Sequence, residues 1–432
     1  MQTHFSLAQL ADPDIAAADR ILRNCVHCGF CTATCPTYTI LGDENDSPRG
    51  RIYLIKHMLE NDEPAETIVA RHVDRCLTCL SCMTTCPSGV DYMHLVDMAR
   101  VRIEEQHRRP LLERLLRDLL AALLPRPAWF RAALRLGMVG RAAGVGKLLR
   151  GRVRAMFEMI PARLPTAAAT DAPGVFKAEG IRRGRVAILS GCAQPVLDPG
   201  INAASIRLLN RLGIEVVVAA GAGCCGALTQ HMGREADARA TARRNLHAWQ
   251  LVRKSDGLDA IVVTASGCGT TVKDYGHLFR GDVDQALAEE ISALTLDISE
   301  YLLRIGLPAP TERPGLTVAY HAACSLQHGQ RVREAPKELL RQVGFSVLEV
   351  PEGHLCCGSA GTYNLLQPEI AGELRSRKIA NIRRTEADIV AAGNIGCLQQ
   401  LQGRLDRPIL HTVELLDWAC GGPRPPALGA QR

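Results

Sequence analysis

CVHCGFCTATCP (25–36) and CLTCLSCMTTCP (76–87) decide how this chain is read. Each spells C-x2-C-x2-C-x3-C-P, and the second copy follows the first after 51 residues. The spacing is too tight for a zinc site, which pairs two C-x2-C elements across a longer gap. It suits a loop that wraps one corner of a cubane, placing three thiolates on three irons of a [4Fe–4S] cluster. The fourth cysteine, turned away by the following proline, ligates the other cluster in two-cluster proteins. One cluster is therefore assigned to Cys25, Cys28, Cys31 and Cys86, and a second to Cys76, Cys79, Cys82 and Cys35. Two neighbouring cubanes with no acid–base constellation beside them point to electron relay, and no catalytic residue is assigned. His27, Thr34 and Thr85 lie inside the loops, where they either tune the clusters through hydrogen bonds or serve loop packing. Between the loops RIYLIKHMLE (51–60) has the apolar pattern of a helix, and residues 1–100 read as a mainly α-helical, two-cluster ferredoxin-like domain.

A second repeat organises the rest. Cys192, Cys224 and Cys225 recur as Cys324, Cys356 and Cys357, and Cys268 recurs as Cys397. In each copy a strand (185–191; 316–323) ends at a cysteine and a helix follows. A second strand (214–220; 346–351) then leads into Cys-Cys-Gly, and after a long helix a third strand (260–266; 387–393) precedes the last cysteine. Strands alternating with helices at this spacing predict two α/β lobes with parallel sheets, 185–310 and 311–420. The whole chain is thus an α+β multidomain protein. The cysteines fall at the carboxyl ends of strands, where open α/β sheets bind ligands. All eight are candidate cofactor-binding residues. A metal–sulfur site, a redox-active thiol pair and buried structural cysteines all remain open for them. GAGCCG (221–226) also spells a dinucleotide fingerprint, but the second copy, GHLCCG (353–358), lacks the middle glycine and no acidic residue ends the following strand, so nicotinamide binding is rejected.

Composition excludes other classes. With 47% apolar and 22% charged residues the chain is neither disordered nor collagenous, and 4% aromatics argue against a stacked-ring platform for single-stranded nucleic acid. No signal peptide and no apolar run of membrane-spanning length is visible, so a reducing cytoplasm is expected, where clustered cysteines act as metal ligands. Charge is uneven: residues 101–154 hold thirteen Lys/Arg against four Asp/Glu. The segment 101–184 reads as basic helices broken at Pro110, Pro125 and Pro127, then an Ala/Pro/Gly-rich linker over 161–184. Residues 127–157 alternate apolar side chains with arginines, which suits either the anionic cytoplasmic face of a membrane or an acidic partner surface. Nucleic-acid binding is not expected, because no motif accompanies the charge. Cys420 reads as plain core and 421–432 as a disordered tail.

Taken together, CVHCGFCTATCPTY (25–38), GDENDSPRGRIYLIK (42–56), CLTCLSCMTTCPSGV (76–90), GCAQP (191–195), GCCGA (223–227), TASGCG (264–269), SLQH (325–328), HLCCGSAGTY (354–363) and NIGC (394–397) resemble the iron–sulfur subunits of flavin-linked dehydrogenases. The glycolate oxidase iron–sulfur subunits are the nearest likeness. The resemblance implies two [4Fe–4S] clusters, a further iron–sulfur cluster in the lobes being left open. It also implies two FAD-binding partner subunits that oxidise glycolate, and electrons passed toward the respiratory quinone pool. Related glycerol-3-phosphate or lactate dehydrogenase subunits, and a heterodisulfide-reductase-like catalytic subunit, are the alternatives. In heterodisulfide reductase each lobe ends in C-x2-C. Here Thr271 and Gln400 stand at the second position, so each lobe offers four cysteines where that non-cubane site has five.

Overall fold

The computed structural model describes residues 1–62 and 64–429. In the first hundred residues four helices, Pro13–Asn24, Pro48–Glu60, Thr67–Asp74 and Tyr92–Gln106, pack around their own core of Leu22, Ile55, Leu59, Val73, Leu95 and Ile103. Local chemistry starts them. The Asp12 carboxylate accepts from the Asp14 N–H, the Ser47 hydroxyl accepts from the Gly50 N–H, and a proline follows each cap. On the last helix Tyr92, Leu95, Val96, Ala99 and Ile103 form one buried face, and each such leucine or isoleucine contributes about 2 kcal/mol on burial. That face runs on past residue 100, so the boundary expected there falls inside a helix. Three further helices follow, Leu111–Leu123, Pro127–Ala142 and Gly151–Glu158, divided at the prolines as expected and at the turn around Gly144.

The first lobe is a five-stranded sheet, in the order β1-β3-β2-β4-β5, of β1 (Gly174–Phe176), β2 (Gly184–Ile188), β3 (Ile214–Val218), β4 (Ala260–Val263) and β5 (Thr295–Asp297). All pairs are parallel except β1 on β3. Ala187 in central β2 pairs with both Val217 and Ile261. The second lobe repeats this with β6 (Thr317–Tyr320), β7 (Ser346–Glu349), β8 (Ile389–Ala392) and β9 (Ile409–His411) in the order β7-β6-β8-β9, all parallel. The six core strands read from the sequence are all present. The edge strands β5 and β9 are three residues each, too short to carry a pattern, and β1 arises within the segment read as a linker.

Both chain reversals about the central strands β2 and β6 put the following loops at one carboxyl edge, the topological switch point of each sheet. The lobes share one continuous core, and the helix Gly200–Arg211 lies on Thr412–Ala419, where Arg207 and Arg211 reach the buried Asp417 at 2.6 and 3.2 Å. The second lobe also presses on the N-terminal domain. Tyr363 donates to the Arg75 carbonyl at 3.0 Å, and Leu77 and Cys79 pack with Cys356, Tyr363 and Leu374. Cys420 is buried. In the tail expected to be disordered, Arg424 stacks on Trp418 and Pro426–Leu428 forms a turn; residues 430–432 of that tail lie outside the described residues.

Candidate functional site

Each C-x2-C-x2-C loop turns through two residues with positive φ, at equivalent positions: His27 (57°) and Gly29 (84°) in the first, Thr78 (50°) and Leu80 (61°) in the second. L-residues pay roughly 1–2 kcal/mol for that conformation. It is retained because it curls the loop tightly enough to bring its sulfurs to one side; the Thr78 N–H, for example, points at Cys76 Sγ from 3.5 Å. Two cavities result. One is lined by Cys25, Cys28, Cys31 and Cys86. The other is lined by Cys76, Cys79, Cys82 and, from the first loop, Cys35. Tyr92 touches both. The first cavity lies near solvent, with Cys28, Val26 and Phe30 of its lining exposed and the exposed Tyr53 beside its His27. The second is interior: Cys35, Cys76, Cys79 and Cys82 are all buried. Burial pushes the Cys79 and Cys82 thiols well up and Cys31 to about 11.

Two arginines counter that penalty at the inner cavity. Arg51, 1% exposed, lies 3.9 Å from Cys35 Sγ and donates to Thr37 Oγ1 at 3.0 Å and to the His72 carbonyl at 2.6 Å. Asp46, also buried, balances it at 3.3 Å and meets Arg75 at 2.8 Å and His72 at 3.0 Å. Arg100 donates to the Cys76 carbonyl at 2.6 Å and to Thr78 Oγ1 at 2.5 Å. Burial alone would raise Cys76, but Arg51 and Arg100 outweigh it and hold the thiol below its ordinary value. Buried thiolates beside buried cations are what a negatively charged metal–sulfur cluster requires, so this donor set fits a pair of cubanes. The sequence did not flag Arg51 or Arg100, since each lies on a helix face that otherwise reads as apolar. Thr34 and Thr85 donate to the Cys31 and Ser81 carbonyls, which is loop packing, and His27 sets its ring edge toward Tyr53.

The lobe cysteines also converge. In the first lobe Cys192, Cys224, Cys225 and Cys268 follow β2, β3 and β4 and form a chain of mutually interacting thiols. In the second, Cys324 lies 3.7 Å from Cys356, and Cys357 neighbours Cys397. The glycine after each pair has φ near +90°, and an added Cβ would meet helix backbone: Ala238 O at 3.0 Å from Gly226 and Ala371 O at 2.6 Å from Gly358. Glycine is thus required by both backbone and space. Thr271 and Gln400, at the places where a fifth cysteine would stand, bond to backbone; Gln400 donates to the Cys357 and Ala371 carbonyls. The second set lies against the inner cavity, where Cys79 feels both Cys324 and Cys356.

Comparisons with known proteins agree with this layout. Residues 21–90 match a model of the 4Fe-4S dicluster domain, and 186–273 and 318–402 each match the cysteine-rich domain. Over 97% of its length the chain is 42% identical to the glycolate oxidase iron-sulfur subunit of Escherichia coli, covering 99% of that protein. The chain belongs to the glycolate oxidase iron–sulfur subunit family. A probable member from Bacillus subtilis is 30% identical over 93% of the chain and 94% of its own length. Lactate utilization protein A of Bacillus velezensis is 27% identical over 54% of the chain. Like the family, the chain is an iron–sulfur protein suited to electron transfer. Among the described residues, no helix is long and apolar enough to cross a membrane.

Proposed function

We propose that this chain is the iron–sulfur electron-transfer subunit of a flavin-dependent dehydrogenase that oxidises glycolate, a 2-hydroxy acid, and that it serves with two FAD-binding subunits to deliver electrons toward the quinone pool. The observation that carries the reading is the crossed arrangement of the two loops, supported by 42% identity to a named glycolate oxidase subunit over nearly the whole chain. Cys25, Cys28, Cys31 and Cys86 would hold one [4Fe–4S] cluster, and Cys76, Cys79, Cys82 and Cys35 the other. Such clusters accept electrons one at a time, which couples a two-electron flavin to single-electron carriers. The chain's own residues set the conditions. Helices of the N-terminal core keep water from the inner cavity, Arg51 and Arg100 supply compensating charge, and the exposed rim of Val26, Phe30 and Tyr53 offers the partner flavoprotein an apolar landing beside the outer cavity. Eight further cysteines at the two sheet edges are the residues for an additional iron–sulfur cluster.

The basic segment suits a peripheral position on the cytoplasmic face of the inner membrane. Leu111, Leu112, Leu115, Trp129, Leu136 and Leu148 are all more than 60% exposed, among exposed arginines. Apolar side chains interleaved with cations match an anionic lipid surface. Sedimentation with anionic vesicles should fall with salt and fail with neutral vesicles. For the main reading, the anaerobically purified chain should be brown and inert toward glycolate. The same chain with its flavoprotein partners should be bleached by glycolate. Glycolate turnover by the chain alone, or oxidation of glycolate by the partners with no change in the absorbance of the chain, would overturn the assignment.

A further inference from the structure

The two lobes repeat in backbone but not at their cysteine sites. His321 follows β6 directly, and its backbone N–H still donates to the Ala391 carbonyl at 2.8 Å, so the residue sits at the sheet edge above the cysteines. It is 1% exposed, and among the described residues neither ring nitrogen has a hydrogen-bond partner. Buried imidazoles are rarely left so, because an unpaired buried polar group costs about 1–3 kcal/mol. One ring nitrogen, Cys357 Sγ and Cys397 Sγ all lie within 4.8 Å of one another. With the Cys324–Cys356 pair this makes five donors, a triad and a pair. A single tetrahedral ion takes four, so the set suits a polynuclear centre. The neighbours are already committed: Gln400 braces the Cys357 and Ala371 carbonyls, and the Asn394 amide points at Cys397 Sγ from 3.5 Å.

The first lobe lacks this equipment. Leu189 stands where His321 stands, directly after the central strand. Seven residues along the helix from the backbone that crowds the glycine, the second lobe has Lys378 and the first has Asn245. Lys378 is 2% exposed; its ammonium donates to the Glu352 carbonyl at 2.8 Å and lies within electrostatic reach of Cys324, Cys356, Cys357 and Cys397. A buried cation facing four sulfurs matches a negatively charged centre.

We propose that His321 is a protein ligand of a metal–sulfur centre held by Cys324, Cys356, Cys357 and Cys397, and that the first lobe has no nitrogen ligand. The bond forms from the lone pair of the neutral ring to an iron, and no proton leaves the imidazole. The proposal rests on the second lobe holding iron, and the test separates the two claims. Anomalous diffraction at the iron edge, on crystals grown without air from the full chain or its complex, should give peaks at both N-terminal cavities and one in the second lobe. In that third peak an iron should lie about 2.1 Å from a ring nitrogen of His321. Iron there with the ring more than 3 Å away overturns the ligand claim alone. Peaks at the two cavities with nothing in the second lobe overturn the underlying reading as well. In solution, His321→Ala should lower iron per chain while leaving the N-terminal cluster signals in place. His321→Cys should keep the iron but lower the midpoint potential, since a neutral imidazole gives way to a thiolate. Unchanged iron content and potential in both variants would overturn the proposal.

Discussion

At the scale of single residues, Arg51 is the side chain with the most influence on the inner cavity. It is a buried cation 3.9 Å from Cys35 Sγ, and Asp46 answers only part of its charge because Arg75 shares that carboxylate. At an effective dielectric near 20, one charge some 6–8 Å from a cluster is worth about 2–3 kcal/mol, or roughly 100 mV for one electron. Arg51→Gln should therefore lower the midpoint of one of the two [4Fe–4S] signals by about that much in a redox titration followed by electron paramagnetic resonance, and Arg51→Lys should keep most of it. Equal potentials in all three proteins would show that solvent, not Arg51, sets the inner potential. Sixteen of the seventeen cysteines were legible as members of two repeated sets because their spacing recurs along the chain. The places of Arg51, Arg100, His321 and Lys378 beside them were not, because only the fold brings these side chains near the sulfurs.

At the scale of elements, the loops and the strand-end turns carry strain that needs a reason to persist. Core strands were readable because a parallel strand covered on both faces is a short apolar run, as in AIVV (260–263) and IVAA (389–392). The long helix after each Cys-Cys-Gly was readable, but its contact with the glycine was not. That contact makes the substitutions unequal. Gly358→Ala places a Cβ 2.6 Å from a helix carbonyl and Gly226→Ala 3.0 Å, each with the left-handed penalty of about 1–2 kcal/mol. Gly358→Ala should lower the melting temperature more than Gly226→Ala; the reverse order would mean that the first helix is the more rigid. The cubane loops differ in kind, since His27, Thr78 and Leu80 hold positive φ without glycine's freedom. Chelating the iron removes what balances that cost. Limited proteolysis of the iron-depleted chain should cut first within 25–35 and 76–86, with the sheets of the lobes still resistant, and cuts beginning inside the sheets would contradict it.

At the scale of the whole molecule, the N-terminal domain is held to the first lobe by a charged clasp that no local pattern announced. His94 lies between two carboxylates, 2.5 Å from Asp91 on its own side and 3.0 Å from Asp274 of the first lobe, and its ring stacks on His277 at 3.4 Å. Burial alone would lower His94, but Asp274 and Asp91 carry it up to about 10, while burial and the neighbouring His94 charge push His277 down to about 4. The stacked pair thus holds one proton, on His94. A histidine whose folded value is raised above 6.5 stabilises the folded state fully below about pH 6.5, and that contribution is lost as pH rises through about 10. In His94→Gln the clasp is gone at every pH. The melting temperature of the unaltered chain should exceed that of the variant by a few degrees, on the order of 2 kcal/mol, at about pH 6. The gap should shrink from about pH 7 upward and close near pH 11. A gap that stays constant across this range would assign the loss to the stacking of the rings and not to the charge that joins the two parts.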